Sequence, residues 1–198
     1  MTTIVFDIGN VLVRWDPRAA FRSALGSDAE VDAFLDRTGF FARNHRADAG
    51  ETFAALAQEL DDPRDRALLA GYVDCYGLTI REPIEGTWAL IDRLRRRGHA
   101  LHAITNWSAE NWDTGLALHP RLREAFGVTI VSGQERIIKP DRAIFDLLCD
   151  RAGVVAQDCL FIDDSPANVD GARAAGWQAH HFTTPEALEA DLTQRGLL

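Results

Sequence analysis

Four short stretches hold side chains that could do chemistry together: Phe6-Asp7-Ile8-Gly9-Asn10-Val11, Thr105-Asn106, Lys139-Pro140 and Asp163-Asp164-Ser165. They supply a nucleophilic carboxylate, a hydroxyl, an ammonium and an acidic pair. This set suits phosphoryl transfer. A carboxylate that attacks a phosphate works against charge repulsion, so it needs a divalent cation and a fixed ammonium. Asp7 and Asp164 could share a Mg2+, whose hard octahedral preference calls for carboxylate, carbonyl and water oxygens. Lys139 could neutralise both Asp7 and the phosphate, and Thr105 with nearby backbone N–H groups could hold the phosphate oxygens. An acyl phosphate formed on Asp7 would then be hydrolysed by water, dividing one hard step into two. Singly, each stretch has an ordinary explanation. An Asp at a strand end serves as a turn or cap residue, Thr105 finishes a strand, and Lys139-Pro140 makes a surface loop. Asp163-Asp164-Ser165 caps a helix, and for Ser165 capping is read as the main role. The reading rests on all four occurring in this order.

The elements that must position them follow from periodicity and caps. Thr3 to Phe6 reads as a buried strand ending at Asp7. Asp16-Pro17 gives a helix start, with Asp as N-cap and Pro at the first helical position. Ser27 to Glu30 has the spacing of a capping box, continued helically by Val31, Phe34 and Leu35. Asp62-Pro63 opens another helix. From residue 16 to residue 81 the pattern is helical throughout. After Pro83, Trp88, Ile91 and Leu94 form a stripe on a helix that ends in Arg95-Arg96-Arg97-Gly98. Strands near 100–104, 128–131, 159–162 and 178–182 then alternate with helices beginning at Ser108, Arg142, Ser165-Pro166 and Thr184-Pro185. This alternation predicts an α/β fold, a Rossmann-like parallel sheet flanked by helices. The helical insertion after the first strand is too long for a plain connection and reads as a cap domain, residues 16–81, on a core of residues 1–15 and 82–198. In such sheets ligands bind beyond the carboxyl ends of the strands, where all four stretches fall.

Bulk composition narrows the options. The chain has 198 residues, 46% of them hydrophobic, enough for a sizeable core. Lys and Arg total 21 against 30 Asp and Glu, a formal net charge of -9, which argues against nonspecific nucleic-acid binding. An acidic protein can still hold a cationic pocket for a small anion. Cys75, Cys149 and Cys159 are odd in number and widely spaced, which disfavours a disulfide framework or a zinc site and favours a reducing cytoplasm. Met1 to Ile8 lacks the basic region and cleavage site of a signal peptide, and no apolar stretch approaches a membrane span of roughly 18–20 residues. No pattern fixes an oligomeric state.

Together the four stretches resemble the motifs of the haloacid dehalogenase (HAD) superfamily, in the subgroup with a helical cap inserted after the first strand. Val5-Phe6-Asp7-Ile8-Gly9-Asn10-Val11-Leu12 resembles the first motif, Thr105-Asn106 the second, Lys139-Pro140 the third and Phe161-Ile162-Asp163-Asp164-Ser165 the fourth. The Asp-x-Gly-Asn-Val sequence is similar to that of small bacterial sugar-phosphate phosphatases. The resemblance implies Asp7 as nucleophile and Mg2+ held by Asp7, the Gly9 carbonyl oxygen and Asp164. Asp163 would stand in or just outside the metal shell. Phosphate contacts would come from Thr105, Asn106 and Lys139, and the partner would be a small phosphorylated metabolite.

One departure stands out. Most phosphatases of the superfamily carry a second Asp, a general acid and base, two residues after the nucleophile, where this chain has Gly9. General acid–base catalysis is typically worth about 10²–10⁴ in rate. A proton from the substrate, from His45 or from Asp16 would lessen the loss, although helix capping explains Asp16. Gly9 also keeps open a metal-independent 2-haloacid dehalogenase, although such enzymes usually carry Tyr there and lack the acidic pair, and a catalytically weakened binder. Substrate choice would fall to the cap, where Arg43, His45 and Arg46 either face the site or lie in a solvated connecting loop. Trp107 and Trp112 either line the pocket or fill the core, with core favoured for Trp112.

Overall fold

The computed structural model describes residues 2–198; Met1, the first residue of the strand-like N-terminal run, lies outside them. Five strands, β1 (Thr3–Phe6), β2 (Leu101–Thr105), β3 (Thr129–Val131), β4 (Cys159–Asp163) and β5 (Gln178–His181), form one parallel sheet in the order β3-β2-β1-β4-β5. β1, β2 and β4 are buried along their whole length, as a parallel sheet covered on both faces requires. Their side chains alternate between two cores. Ile4, Phe6, Leu160 and Ile162 join one apolar cluster, and Val5, Ile104, Phe145, Phe161 and Trp177 make the other.

Most helix starts are where the cap residues put them. The Ser27 hydroxyl accepts from the Glu30 N–H at 3.2 Å and donates to the Glu30 carboxylate, so Ser27 caps helix Asp28–Arg37. Asp62 accepts from Arg64 and Asp65, and Thr184 from Ala187. Three expectations need correction. Asp16-Pro17 opens a single 3-10 turn, Pro17–Ala20, rather than an α-helix, with Asp16 accepting from the Arg18 N–H at 3.1 Å. Ser165 occupies an N-cap position, yet its side chain makes no capping bond; its own N–H donates to the Asp163 carboxylate at 2.8 Å. The stretch holding Arg43, His45 and Arg46 is no loop but the helix Phe40–Asp48.

The residues between Asp16 and Arg81 form helices and turns with no named strand. Phe21 stacks on Tyr72 at 5.6 Å, and Phe34, Phe40 and Phe53 close around the same two rings. Burying an aromatic or aliphatic side chain of this size stabilises the fold by about 1.5–3 kcal/mol. These rings belong to one continuous apolar cluster with Ile4, Phe6 and Trp88, and the helical stretch meets the rest of the chain at the helices Ala109–Leu118 and Ser132–Glu135. Its two links to the sheet run side by side: the Arg14 N–H donates to Glu82 O and the Ile84 N–H to Leu12 O, at 2.9 and 2.8 Å. No helix among the described residues is long and apolar enough to cross a membrane.

Candidate active site

The sheet order reverses at β1, which has β2 on one side and β4 on the other. That is the switch point where open α/β sheets leave a crevice beyond their carboxyl ends. Asp7 follows the last residue of β1 there, and Asp163 closes β4 with Asp164 next in the chain. Lys139 arrives from the loop before helix Arg142–Ala152 and is almost wholly buried. Its ammonium lies 2.8 Å from Asp7 Oδ1 and 2.7 Å from Asp163 Oδ2, and it donates to the Ile104 carbonyl at 3.1 Å. Two carboxylates and one ammonium are thereby fixed out of water.

Each neighbour has a definite task. The Asn106 amide clamps the Lys139 backbone, donating to its carbonyl at 3.1 Å and accepting from its N–H at 2.9 Å. Asn168 donates to both oxygens of Asp163 at 3.1 Å, so Asp163 is saturated by protein donors. Asp164 is less enclosed and lines the cavity. Thr105, at the end of β2, is fully buried and its hydroxyl has no hydrogen-bond partner among the described residues. After β1 the chain turns sharply, with Asn10 at φ 54° and its N–H donating to Val13 O at 2.7 Å. A Cβ at Gly9 would meet nothing within 4 Å.

Charge is crowded here. Burial pushes the Asp7 carboxyl up to about 7; Lys139 pulls it down, while Asp163 and Asp164 raise it. Burial and the Asp163 charge also raise Asp164. Burial opposes the charge on Lys139, but Asp163 and Asp7 outweigh it and hold the ammonium above its ordinary range. One carboxylate oxygen from each of Asp7, Asp163 and Asp164 lies within 4.8 Å of the other two. Such an arrangement could hold a hard divalent cation.

A cavity of about 180 Å³ opens over this centre. Its floor includes Asp7, Gly9, Asn106, Lys139 and Asp164, and its walls include Trp15, Tyr76, Ile80, Trp107, Asn44 and Asp48. Cavities of about 150 Å³ admit benzene, so this one suits a small organic molecule. Trp107 is therefore a wall residue. Trp112 is buried behind it, edge-on at 5.4 Å, and does not line the cavity. Arg46 turns outward to Glu51 and Glu59, Arg43 is held by the Thr38 carbonyl and Glu59, and His45 is exposed, so none of the three lines the cavity. Asp16 does not line it either.

The residues that the helix does send inward, Asn44 and Asp48, escaped sequence reasoning. They lie four apart and share a face with buried Phe40 and Ala47, a periodicity that could have found them. Asn44 donates to Asp48 Oδ2 at 3.0 Å. Burial pushes the Asp48 carboxyl up to about 8, against a backbone hydrogen bond at Ser108 and the charge of Lys139.

A family profile for haloacid dehalogenase-like hydrolases matches residues 1–176. Phosphatase MT3486 of Mycobacterium tuberculosis is 31% identical over 155 residues, 75% of this chain and 69% of its own. A HAD family enzyme from Bacteroides thetaiotaomicron, solved in complex with magnesium and inorganic phosphate, superposes with a TM-score of 0.69 at 18% identity, covering 93% of this chain and 95% of its own. The L-2-haloacid dehalogenase of Xanthobacter autotrophicus, with chloropropionic acid covalently bound, gives a TM-score of 0.66 at 16% identity, covering 100% and 84%. Both structures share the fold, so the fold alone does not choose between their chemistries.

Proposed function

The chain belongs to the haloacid dehalogenase-like hydrolase family, and from that premise we propose that it is a Mg2+-dependent phosphatase acting on a small phosphomonoester of the sugar-phosphate type. The observation that carries this reading is the acidic trio of Asp7, Asp163 and Asp164 around the single ammonium of Lys139. Three carboxylates this close repel one another, and a metal-free displacement of halide has no use for them. The likeness to a mycobacterial phosphatase supports the same choice.

In this reading Asp7, the Gly9 carbonyl oxygen and Asp164 hold Mg2+, which supplies charge neutralisation for the phosphoryl group. Asp163 stands behind them, its oxygens already taken by Lys139, Ser165 and Asn168. Lys139 holds Asp7 against the phosphate and shares the negative charge. The unpartnered hydroxyl of Thr105 and the remaining amide hydrogen of Asn106 orient the phosphate oxygens. Asp7 attacks phosphorus, and water then releases phosphate from the acyl phosphate. Residues 16–81 act as a cap over the core, residues 1–15 and 82–198.

Among the described residues, Lys139 is the one cationic side chain lining the cavity. A substrate with a single phosphate and an uncharged organic part fits that wall, and the rings of Trp15, Tyr76 and Trp107 suit a sugar face. The three free thiols fit a reducing compartment, and we take the enzyme to act in the cytoplasm.

The test is phosphate release from p-nitrophenyl phosphate and a panel of sugar phosphates, with Mg2+ and with EDTA. Release that needs Mg2+ and vanishes in Asp7→Asn is the expected result. Halide release from 2-chloropropionate that persists in EDTA would instead establish a dehalogenase, and binding without turnover a silent relative.

A further inference from the structure

The reaction needs a proton for the departing alkoxide, and Gly9 has none to give. We propose that Asp48, delivered from the helix Phe40–Asp48, is the general acid and then the general base of the reaction. This rests on the phosphatase reading above.

Asp48 lines the same cavity as Asp7, Gly9 and Lys139, and it comes from the helical stretch rather than the sheet, so it addresses the organic side of a bound ester. Its place is fixed at both ends. The Asp48 carbonyl accepts from the Ser132 hydroxyl at 2.6 Å, and that hydroxyl accepts from the Trp107 N–H at 3.0 Å, which seats the helix end on the loop after β2. The carboxyl itself takes a bond from Asn44 at 3.0 Å. The other carboxyls of the centre already have work: in the phosphatase reading Asp7 attacks and Asp164 would hold the cation, while Asp163 is saturated by Lys139, Ser165 and Asn168.

The environment also suits the task. Burial and the charge of Asp7 favour the protonated carboxyl and outweigh a backbone hydrogen bond at Ser108 and the charge of Lys139, so the group sits at about 8 and is loaded at neutral pH. An acid near the working pH both gives and takes protons efficiently. The titratable groups facing it are Asp7 and Lys139 from the core and Tyr72 and Tyr76 from the helical stretch.

The proton accounting closes. Asp7 forms a bond to phosphorus as the P–O bond to the alcohol breaks, and the Asp48 proton goes to the leaving oxygen. The Asp48 carboxylate then takes a proton from the water that attacks the acyl phosphate. Asp7 leaves as carboxylate, hydrogen phosphate is released, and Asp48 is protonated again.

The test compares kcat/KM, with Mg2+, for p-nitrophenyl phosphate, whose phenolate departs unaided, and for glycerol 2-phosphate, whose alkoxide needs a proton. In Asp48→Asn the alkyl-to-aryl ratio should fall by about 10²-fold or more. Phosphoenzyme should accumulate in quenched samples, and adding Gly9→Asp to that variant should restore much of the ratio. An unchanged ratio, or equal loss on both esters, overturns the proposal. Gly9→Asp alone gives a check that does not depend on how the Asp48 variant folds: with a donor already present, its alkyl rate rises less than about tenfold, and a rise of about 10²-fold or more overturns the proposal. Wild-type protein that releases no phosphate from either ester brings down the phosphatase reading and this proposal together. Wild-type turnover of both esters with an unchanged ratio in Asp48→Asn brings down the proposal alone.

Discussion

Replacing Lys139 with Met keeps most of the side chain's volume and deletes the charge between two buried carboxylates. The ammonium lies 2.8 Å from Asp7 and 2.7 Å from Asp163, and all three side chains are largely or wholly out of water. Removing one member of such a set costs about 3–5 kcal/mol, because the remaining charge is buried without compensation. Two features pull the cost toward the lower figure. Asp163 keeps its bonds from Ser165 and Asn168, and Asp7 can take up a proton, since its carboxyl already sits at about 7. A loss of about 3 kcal/mol lowers Tm by roughly 6–12 °C in a chain of this size. The sign with pH follows from linkage. A carboxyl raised on folding binds a proton that the unfolded chain releases, so stability drops as pH climbs from the ordinary 3.8 toward the folded value. In the wild type that window closes near 7 for Asp7. Without Lys139 the folded value moves higher, and the deficit keeps widening through pH 8. The assay is thermal unfolding followed by circular dichroism, in EDTA, at pH 6 and pH 8. A Lys139→Met protein that melts within ~2 °C of wild type at both values would refute the reasoning.

Two further substitutions probe the surroundings of the cavity. Gly133→Ala puts a Cβ 2.4 Å from Ala109 N and 2.8 Å from Trp107 O, backbone atoms that cannot swing aside. It should cost about 1–3 kcal/mol in thermal unfolding and raise KM by shifting Trp107 and Ser108. Arg46→Ala should leave kcat/KM for phosphate esters unchanged in steady-state assays, because this guanidinium pairs with Glu51 and Glu59 away from the cavity. A marked rise in KM would show that Arg46 reaches the substrate.

The sheet and its reactive rim were legible because buried parallel strands are written as short apolar runs, and each run here breaks at a polar residue. Thr3–Phe6 gives way to Asp7 and Leu101–Thr105 to Asn106; Cys159–Asp163 gives way to Asp164. The inner wall was harder to read. In Phe40–Asp48 the cations drew attention by type, but the burial of Phe40 and Ala47 decides which face turns inward, and that face carries Asn44 and Asp48. Local capping rules also failed at Ser165, which sits at an N-cap position without a capping bond from its side chain. Likewise, nothing local to Asn106 reveals that its amide pairs with the Lys139 backbone, a contact between residues far apart in the chain.

The apolar cluster common to sheet and helical stretch bears on how this enzyme changes its diet. Phe21, Phe34 and Tyr72 belong to the same apolar cluster as Ile4, Phe6 and Trp88. A helical stretch built that way is not a detachable module. Exchanging residues 16–81 as a block would leave the helices Ala109–Leu118 and Ser132–Glu135 facing the wrong side chains, so new specificity is acquired more cheaply by exchanging single wall residues such as Tyr76 or Ile80.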